Sequence, residues 1–421
     1  MVDLVVRNVL VEGYRTAVDI AVEEGRIVGI SQVVPSRETD PDAEIIDGKG
    51  ALLTPGFVES HIHLDKACIL DRCRNETGML EGAIASVVVA KKNFDRDDVY
   101  ARGRKFIEKA IVEGTNAMRT HVEINPVIGL KGFEAVKQLK ADYTWALDLQ
   151  ICVFPRDELT NLPGTRELLE QALDAGADLL GGCPYTDTDP AAQIRILFEM
   201  ACRHDVDLDF HLDFDLDPTG GDLREVARQT VAFGWQGRVT IGHVTKLSAM
   251  PRAQLMDMAE VMKQAGVALT VLPATDLFLM GRDHDHLVPC GVSPAHVLHR
   301  HGVCCTVATN NVLNLFTPYG DCSLPRIANL YANVQQLSTQ EELGACFAMV
   351  TSEPDRLIRR NARIEPGAPA TFIELPAASG GQAVAEIARP LWGMKSGRMT
   401  FVRPEAELRF PGNPIARAPQ A

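Results

Sequence analysis

No stretch of this 421-residue chain approaches the roughly 20 consecutive apolar residues of a membrane-crossing helix. The long uncharged run from Gly302 to Gly320 is interrupted by Thr, Asn and Pro. The first residues include Asp3 and Arg7 and form no apolar signal-peptide core, so no membrane association and a cytoplasmic location are expected. Basic charge is also scarce. The 42 Lys and Arg face 56 Asp and Glu, a net charge of −14. A surface of that sign repels phosphate backbones and argues against a nucleic-acid partner. Paired cysteines are missing too. The ten cysteines contain no CxxC, and Cys304-Cys305 sit inside an apolar run. Free buried thiols are therefore expected, not a disulfide framework or a cysteine metal site. Low-complexity tracts are absent, and 46% hydrophobic with 23% charged residues describes a globular chain of one large domain or two ordinary ones.

Residues 1–51 read as short strands, Leu4–Val6, Asp19–Val22 and Arg26–Ile30, with Glu24-Gly25 as a hairpin turn and a polar loop from Pro35 to Asp42 before Glu44–Asp47. From residue 52 the pattern changes. Eight apolar runs, Leu52–Glu59, Thr115–Val122, Ala146–Phe154, Ala177–Cys183, Val206–His211, Arg238–His243, Val267–Leu272 and Gly302–Thr309, alternate with helical segments. These helices include Asp97–Glu113, with Asp97 as N-cap, and Pro251–Gly266. Strand–helix–strand units of this kind imply parallel strands with crossover helices. Eight of them predict an α/β fold, a closed (β/α)8 TIM-type barrel over residues 52–360. From 361 to 421 strands return, at Ala370–Leu375, Arg398–Val402 and Ala406–Phe410, and Ser379-Gly380-Gly381 marks a loop. Both chain ends are expected to build one small β-sandwich beside the barrel.

Active residues of such a barrel stand at the C-terminal ends of its strands. Five of the eleven histidines fall there: His61, His63, His121, His211 and His243. In a strand, residues i and i+2 share a face, so His61 and His63 project together, and His211 can meet them across the mouth. Three neutral imidazoles and an open position make a catalytic site for a divalent metal ion, zinc or iron(II). His204, His296, His299 and His301 lie on or beside helices and are expected in solvent, whereas His284 and His286 are candidates for a loop lining the mouth.

These residues carry a resemblance. The segment Leu53-Thr54-Pro55-Gly56-Phe57-Val58-Glu59-Ser60-His61-Ile62-His63-Leu64-Asp65-Lys66 resembles the opening of the amidohydrolase superfamily. Thr120-His121-Val122-Glu123, Phe154-Pro155, the segment around His211, Gly242-His243 and Thr317-Pro318-Tyr319-Gly320 are similar to the branch holding cytosine deaminase and N-isopropylammelide amidohydrolase. The resemblance implies a metal bound by His61, His63 and His211, with His243 orienting water or the tetrahedral intermediate. It places Lys66 and Arg156 on the substrate, with His121, Phe214 and Phe316 as further substrate contacts. It also implies a homo-oligomer.

Two positions depart from the family pattern. The Asp expected after the eighth strand is Asn310, which cannot accept a proton near neutral pH. The acid three residues after the fifth-strand His is Phe214, leaving Asp213 as the candidate for displaced acid–base chemistry or, equally, for a loop cap. Three explanations are open: the base has moved, the asparagine was introduced to trap a complex, or hydrolysis has been lost. The polar run Asn310-Asn311-Val312-Leu313-Asn314 favours a natural asparagine. The expected activity is metal-dependent cleavage of a non-peptide C–N bond, by deamination or cyclic amide opening, in a small and, given Arg156, anionic nitrogen heterocycle. The alternative is a homologue that binds such a heterocycle without hydrolysing it.

Overall fold

Short strands open the chain: β1 (Val2–Val11), β2 (Val18–Glu23), β3 (Arg26–Ser31), β4 (Thr39–Asp47) and β5 (Leu52–Thr54). The computed structural model describes residues 1–34, 39–73, 80–404, 406 and 408, the side chains of 80, 81 and 83–85 apart. Glu24 and Gly25 have φ of 49° and 75°, the left-handed pair that a two-residue hairpin needs. β4 begins at Thr39, so part of the expected polar loop is strand, and residues 35–38 lie outside the described residues.

The barrel consists of β6 (Phe57–Ile62), β7 (Thr115–Glu123), β8 (Asp148–Phe154), β9 (Leu179–Gly182), β10 (Asp207–Leu212), β11 (Val239–His243), β12 (Val267–Val271) and β13 (Cys305–Val307). They follow one another in spatial order, and every pair is parallel. The ring is joined at its upper edge by a parallel bridge between Ile62 and Asn310. There Asn310 N donates to His61 O at 2.8 Å, and His63 N donates to Asn310 O at 3.1 Å. The first expected run proves to be two strands. Pro55-Gly56, with Gly56 at φ 101°, breaks it, and β5 pairs with β1 instead of entering the barrel.

Helices α1 (Leu80–Lys91), α2 (Arg96–Val112), α3 (Lys131–Asp142), α4 (Thr165–Asp174), α5 (Pro190–His204), α6 (Leu223–Ala232), α7 (Arg252–Ala265), α8 (Pro273–Leu279) and α9 (Ala295–Arg300) fill the crossovers. They seal strands that are apolar on the outward face, as parallel sheets require. The N-cap of α2 is Asp95 and not Asp97: its side chain accepts from Asp98 N at 2.8 Å. Phe106, Phe133, Phe198, Phe210 and Tyr331 are buried in the resulting core.

Beyond α10 (Leu324–Val334), α11 (Gln340–Ala348) and α12 (Ser352–Leu357), strands resume as β14 (Phe372–Leu375), β15 (Trp392–Lys395) and β16 (Arg398–Val402). β14 pairs antiparallel with β5, giving the order β16-β15-β14-β5-β1-β2-β3 with β4 beside β1. Both chain ends thus build one unit, whose core includes Val6, Ile20, Leu53, Phe372 and Trp392. β15 was not anticipated, and Gly380-Gly381, expected in a loop, start α13 (Gly380–Ala385), capped by Ser379. The expected strand Ala406–Phe410 lies mostly outside the described residues.

Phe106 joins α2 to the barrel and is 1% exposed, whereas Val231 on α6 is 52% exposed. Phe106→Ala should lower unfolding free energy by about 3–5 kcal/mol, and Val231→Ala should change it by no more than about 0.5 kcal/mol. Urea denaturation midpoints of the two variants check this.

Candidate active site

Strand periodicity stacks polar side chains in rungs up the inside of the barrel. β7 contributes Arg119, His121 and Glu123 from one face; β10 contributes Asp209 and His211. On the lowest rung Arg119 donates to Asp209 at 2.9 Å, Gln150 at 3.2 Å and Thr240 at 3.3 Å. On the next, His121 stacks on His61, ring centroids 3.7 Å apart, with its Nε2 3.4 Å from Asp209 Oδ1. Above them the Nε2 atoms of His61 and His63 lie 3.2 and 3.1 Å from that of His211. Glu59 ties the first and last strands from inside, accepting from His61 N at 3.2 Å and Thr309 N at 3.1 Å. Burial pushes its carboxyl up to about 7 against those hydrogen bonds.

The three upper imidazoles are fully buried or nearly so. Burial holds all three well below the ordinary histidine value, helped by neighbouring cations such as Lys66 beside His63. They are therefore neutral, and their ring nitrogens converge on one point. Neutral imidazoles fit a borderline divalent ion such as zinc or iron(II). A second group, His61, His121 and Asp209, also brings ligand-type atoms within 4.8 Å, but Asp209 is engaged by Arg119 and the group lies under the first. Gly242 makes room for His61: a Cβ there would sit 3.2 Å from the imidazole Cε1.

The strand ends are strained. Asp213, His243 and Asn310 have φ of 47°, 67° and 63°, unusual for non-glycine residues and typical of functional sites. This turn directs His243 inward. Its Nδ1 lies 2.6 Å from Asp276 Oδ1 on α8, and its Nε2 lies 3.4 Å from Asn310 Nδ2. Asp276 is completely buried; burial raises its pKa, against His243 and Leu272 N.

A cavity of about 300 Å³ opens above His63 and His211, with His243 on its wall. Phe154, Tyr185, Phe214 and Phe316 supply flat walls, and Lys66, Arg156 and Asn311 supply polar groups. Phe154 stacks on His211 at 4.7 Å, and Phe214 lies 4.5 Å from the His243 ring. Behind this wall Glu123 accepts from two buried lysines, Lys66 at 3.2 Å and Lys91. Burial alone would raise Glu123; Lys91, Lys66 and Arg156 outweigh it and hold the carboxyl near 2. Lys91 is lowered because its burial outweighs its attraction to Glu123, so the lysine bears part of the desolvation cost. The Arg156 guanidinium makes one hydrogen bond among the described residues, to Asp157 at 3.3 Å.

The expected residues thus fall into groups. His61, His63 and His211 gather, and His243 and Asn310 flank them. Lys66, Arg156, Phe214 and Phe316 line the cavity. His121 does not line it; it lies beneath His61, shielded from any substrate. Asp213 takes the second of its two expected roles, that of a cap. Its oxygens accept from Asp222 N at 2.8 Å and Leu223 N at 3.2 Å, capping α6. His284 and His286 are exposed beside Asp283 and Asp285, away from the cavity. His296, expected in solvent, is half-buried against Tyr331 Oη at 3.0 Å. Sequence reasoning missed Lys91, Tyr185 and Asp276. Lys91 and Asp276 carry the only hint available, a charge inside an otherwise apolar helical stretch.

A model described as Amidohydrolase family matches residues 77–386. N-isopropylammelide isopropyl amidohydrolase of Pseudomonas sp. (strain ADP) is 26% identical over 407 residues, 94% of this chain and 96% of that one. A pterin deaminase of Rhizobium rhizogenes (strain K84 / ATCC BAA-868) is 27% identical, covering 84% of this chain and 81% of its own length. The crystal structure of 5-methylcytosine deaminase from Klebsiella pneumoniae liganded with 5-fluorocytosine superposes with a TM-score of 0.91 at 25% identity, covering 97% of this chain and all (100%) of that one.

Glu123→Gln should cost about 3–5 kcal/mol at neutral pH, because two buried ammonium groups lose their counter-ion. The folded pKa near 2 lies below the ordinary 4.5. The carboxylate's contribution is therefore fully present above pH 4.5 and lost as pH falls through 2. The stability gap between wild type and variant should narrow over that interval in urea titrations run at successive pH values.

Proposed function

Since the chain belongs to the amidohydrolase family, whose members are metal-dependent hydrolases, we propose that it cleaves a non-peptide C–N bond of a small nitrogen heterocycle bearing an acidic group. The observation that carries this reading is the placement of three convergent neutral imidazoles below a cavity walled by aromatic rings and by Arg156 and Lys66. A cavity near 300 Å³ suits a one- or two-ring ligand at the small end of binding sites. The relatives act in the same chemical region: an ammelide, a pterin and a cytosine ring are in their names.

His61, His63 and His211 would hold zinc or iron(II). Such an ion supplies Lewis acidity and brings the pKa of water toward about 7. The protein's own groups do the rest. Phe154, Phe214 and Phe316 hold the ring and exclude water. Arg156 presents a planar set of N–H donors, which matches a carboxylate or an anionic ring oxygen. Lys66, fixed by Glu123, adds a second positive charge. His243 orients the attacking water at Nε2 and stabilises oxyanion charge in the transition state.

One observation favours a second reading. Among the described residues the cavity wall carries no carboxylate, which also suits a protein that binds the heterocycle without hydrolysing it. Asn310→Asp separates the two: new activity in the variant supports the binder, and loss of existing activity shows that the asparagine belongs to a working site.

The metal-loaded protein should release ammonia, or open the ring, from aminopyrimidines, aminotriazines or aminopteridines bearing a carboxylate or a ring oxyanion, and should turn over plain cytosine poorly. Mass spectrometry of the products checks this, and substantial cytosine turnover would refute the acidic-substrate reading. Chelation should abolish activity and zinc or iron(II) restore it. Arg156→Gln should raise KM for the acidic substrate by about 10–100-fold, the loss of one charged hydrogen-bonding partner, and leave a neutral analogue nearly unchanged.

A further inference from the structure

The reading above leaves one proton without a destination. Attack of water on a ring carbon releases a proton that must be held and then delivered to the departing nitrogen. Every buried carboxylate around the cavity except one is held by groups other than the imidazole that flanks the cluster. Glu59 oxygens accept from the backbone of His61 and Thr309. Asp65 accepts from Glu123 N, Glu123 from Lys66 and Lys91, and Asp209 from Arg119. Asp213 caps α6. The exception is Asp276. It is wholly buried, and among the described residues its carboxylate reaches only His243 Nδ1 at 2.6 Å and Leu272 N at 3.3 Å. A carboxylate taken out of water is costly unless it is paired, and here the sole side-chain partner is one imidazole at the cavity wall.

The two contacts of that imidazole select the same tautomer. A carboxylate oxygen at Nδ1 requires an N–H there. The carboxamide Nδ2 of Asn310, 3.4 Å from Nε2, is a donor and meets a lone pair. An aspartate at position 310 would instead draw a proton onto Nε2. The asparagine and the buried Asp276 are therefore consistent with one another.

We propose that Asp276 is a positioning residue that takes over the task of the absent aspartate at 310: by keeping the His243 proton on Nδ1 it leaves Nε2 as the proton acceptor of the reaction. This rests on the hydrolase reading. In the step, one O–H bond of the attacking water breaks and its proton passes to Nε2 while the oxygen bonds to the ring carbon. When the C–N bond breaks, that proton passes from Nε2 to the leaving nitrogen, completing the amine, and the oxygen keeps its second proton in the product. Asp276 stabilises the transient imidazolium, the logic of a base oriented by a third group.

Two measurements on the full chain test this. The first needs no substrate or metal. Long-range 1H–15N spectra of metal-free protein labelled with 15N-histidine, with His243 assigned from a His243→Gln variant, should show the Nδ1–H form in wild type and its loss in Asp276→Asn. The second compares steady-state kinetics of the metal-loaded proteins on the best substrate from the panel above. Asp276→Asn should lower kcat about 10²–10⁴-fold, the range for general-base catalysis, with KM within a few-fold and metal content unchanged. An Nε2–H form in wild type, an unchanged tautomer in the variant, or a loss confined to KM overturns the proposal. If wild type turns over none of the panel, the hydrolase reading fails, and the tautomer measurement still decides the role of Asp276.

Discussion

Three uncharged imidazoles in a dry interior, with the Nε2 of His211 about 3 Å from those of both His61 and His63, are the constraint on which the rest of this molecule depends. Lone pairs at that distance repel unless a cation or shared protons lie between them, and such an arrangement persists only where the surrounding backbone is fixed. Here the fixing is done by the ring itself. The bridge between Ile62 and Asn310 joins the first and last strands at the level of the histidines. Glu59 repeats the join from inside, one carboxylate spanning backbone groups of both strands. Without a Cβ at Gly242, the His61 ring can approach the sixth barrel strand closely.

Charge in the barrel is distributed by cost. Ionised groups in a low-dielectric interior are tolerated only when paired, and the pairings here are mostly structural: Arg119 with Asp209 at the base, and Glu123 between two lysines behind the cavity. Lys66, Lys91 and Arg156 crowd about one fully buried carboxylate, so this wall carries more positive than negative charge. The acids nearest the mouth are held by backbone amides or lysines, which leaves the flank by Asn310 to an imidazole and an amide. The pairing of the lysines and the setting of the His243 imidazole thus follow from one allocation of a few buried carboxylates.

How much was legible in the sequence depends on the range of the interaction. The barrel could be read because its evidence is local and periodic. Apolar runs alternating with helices impose parallel pairing, and parallel pairing imposes crossovers. The His61–His63 spacing and the histidines at other strand ends could be read for the same reason. The errors came where a turn reassigns a strand, as at Pro55-Gly56, or where a cap lies two residues from the obvious acid, as at Asp95.

Asp213 and Asp276 mark the boundary. In the sequence both are acids near a strand end, and Asp213 lies closer to the chemistry, two residues from His211. Only the folded chain shows that Asp213 turns back to the amides of α6, while Asp276, 33 positions from His243, points its carboxylate at that ring. The sequence by itself determined the barrel, the terminal sheet and which residue types reach the strand tips, since strand period and hydrophobic pattern act between near neighbours. The tertiary structure was needed to show which lysines share Glu123 and which carboxylate serves His243, because a hydrogen bond depends on ångström-scale distances between side chains that chain order does not encode.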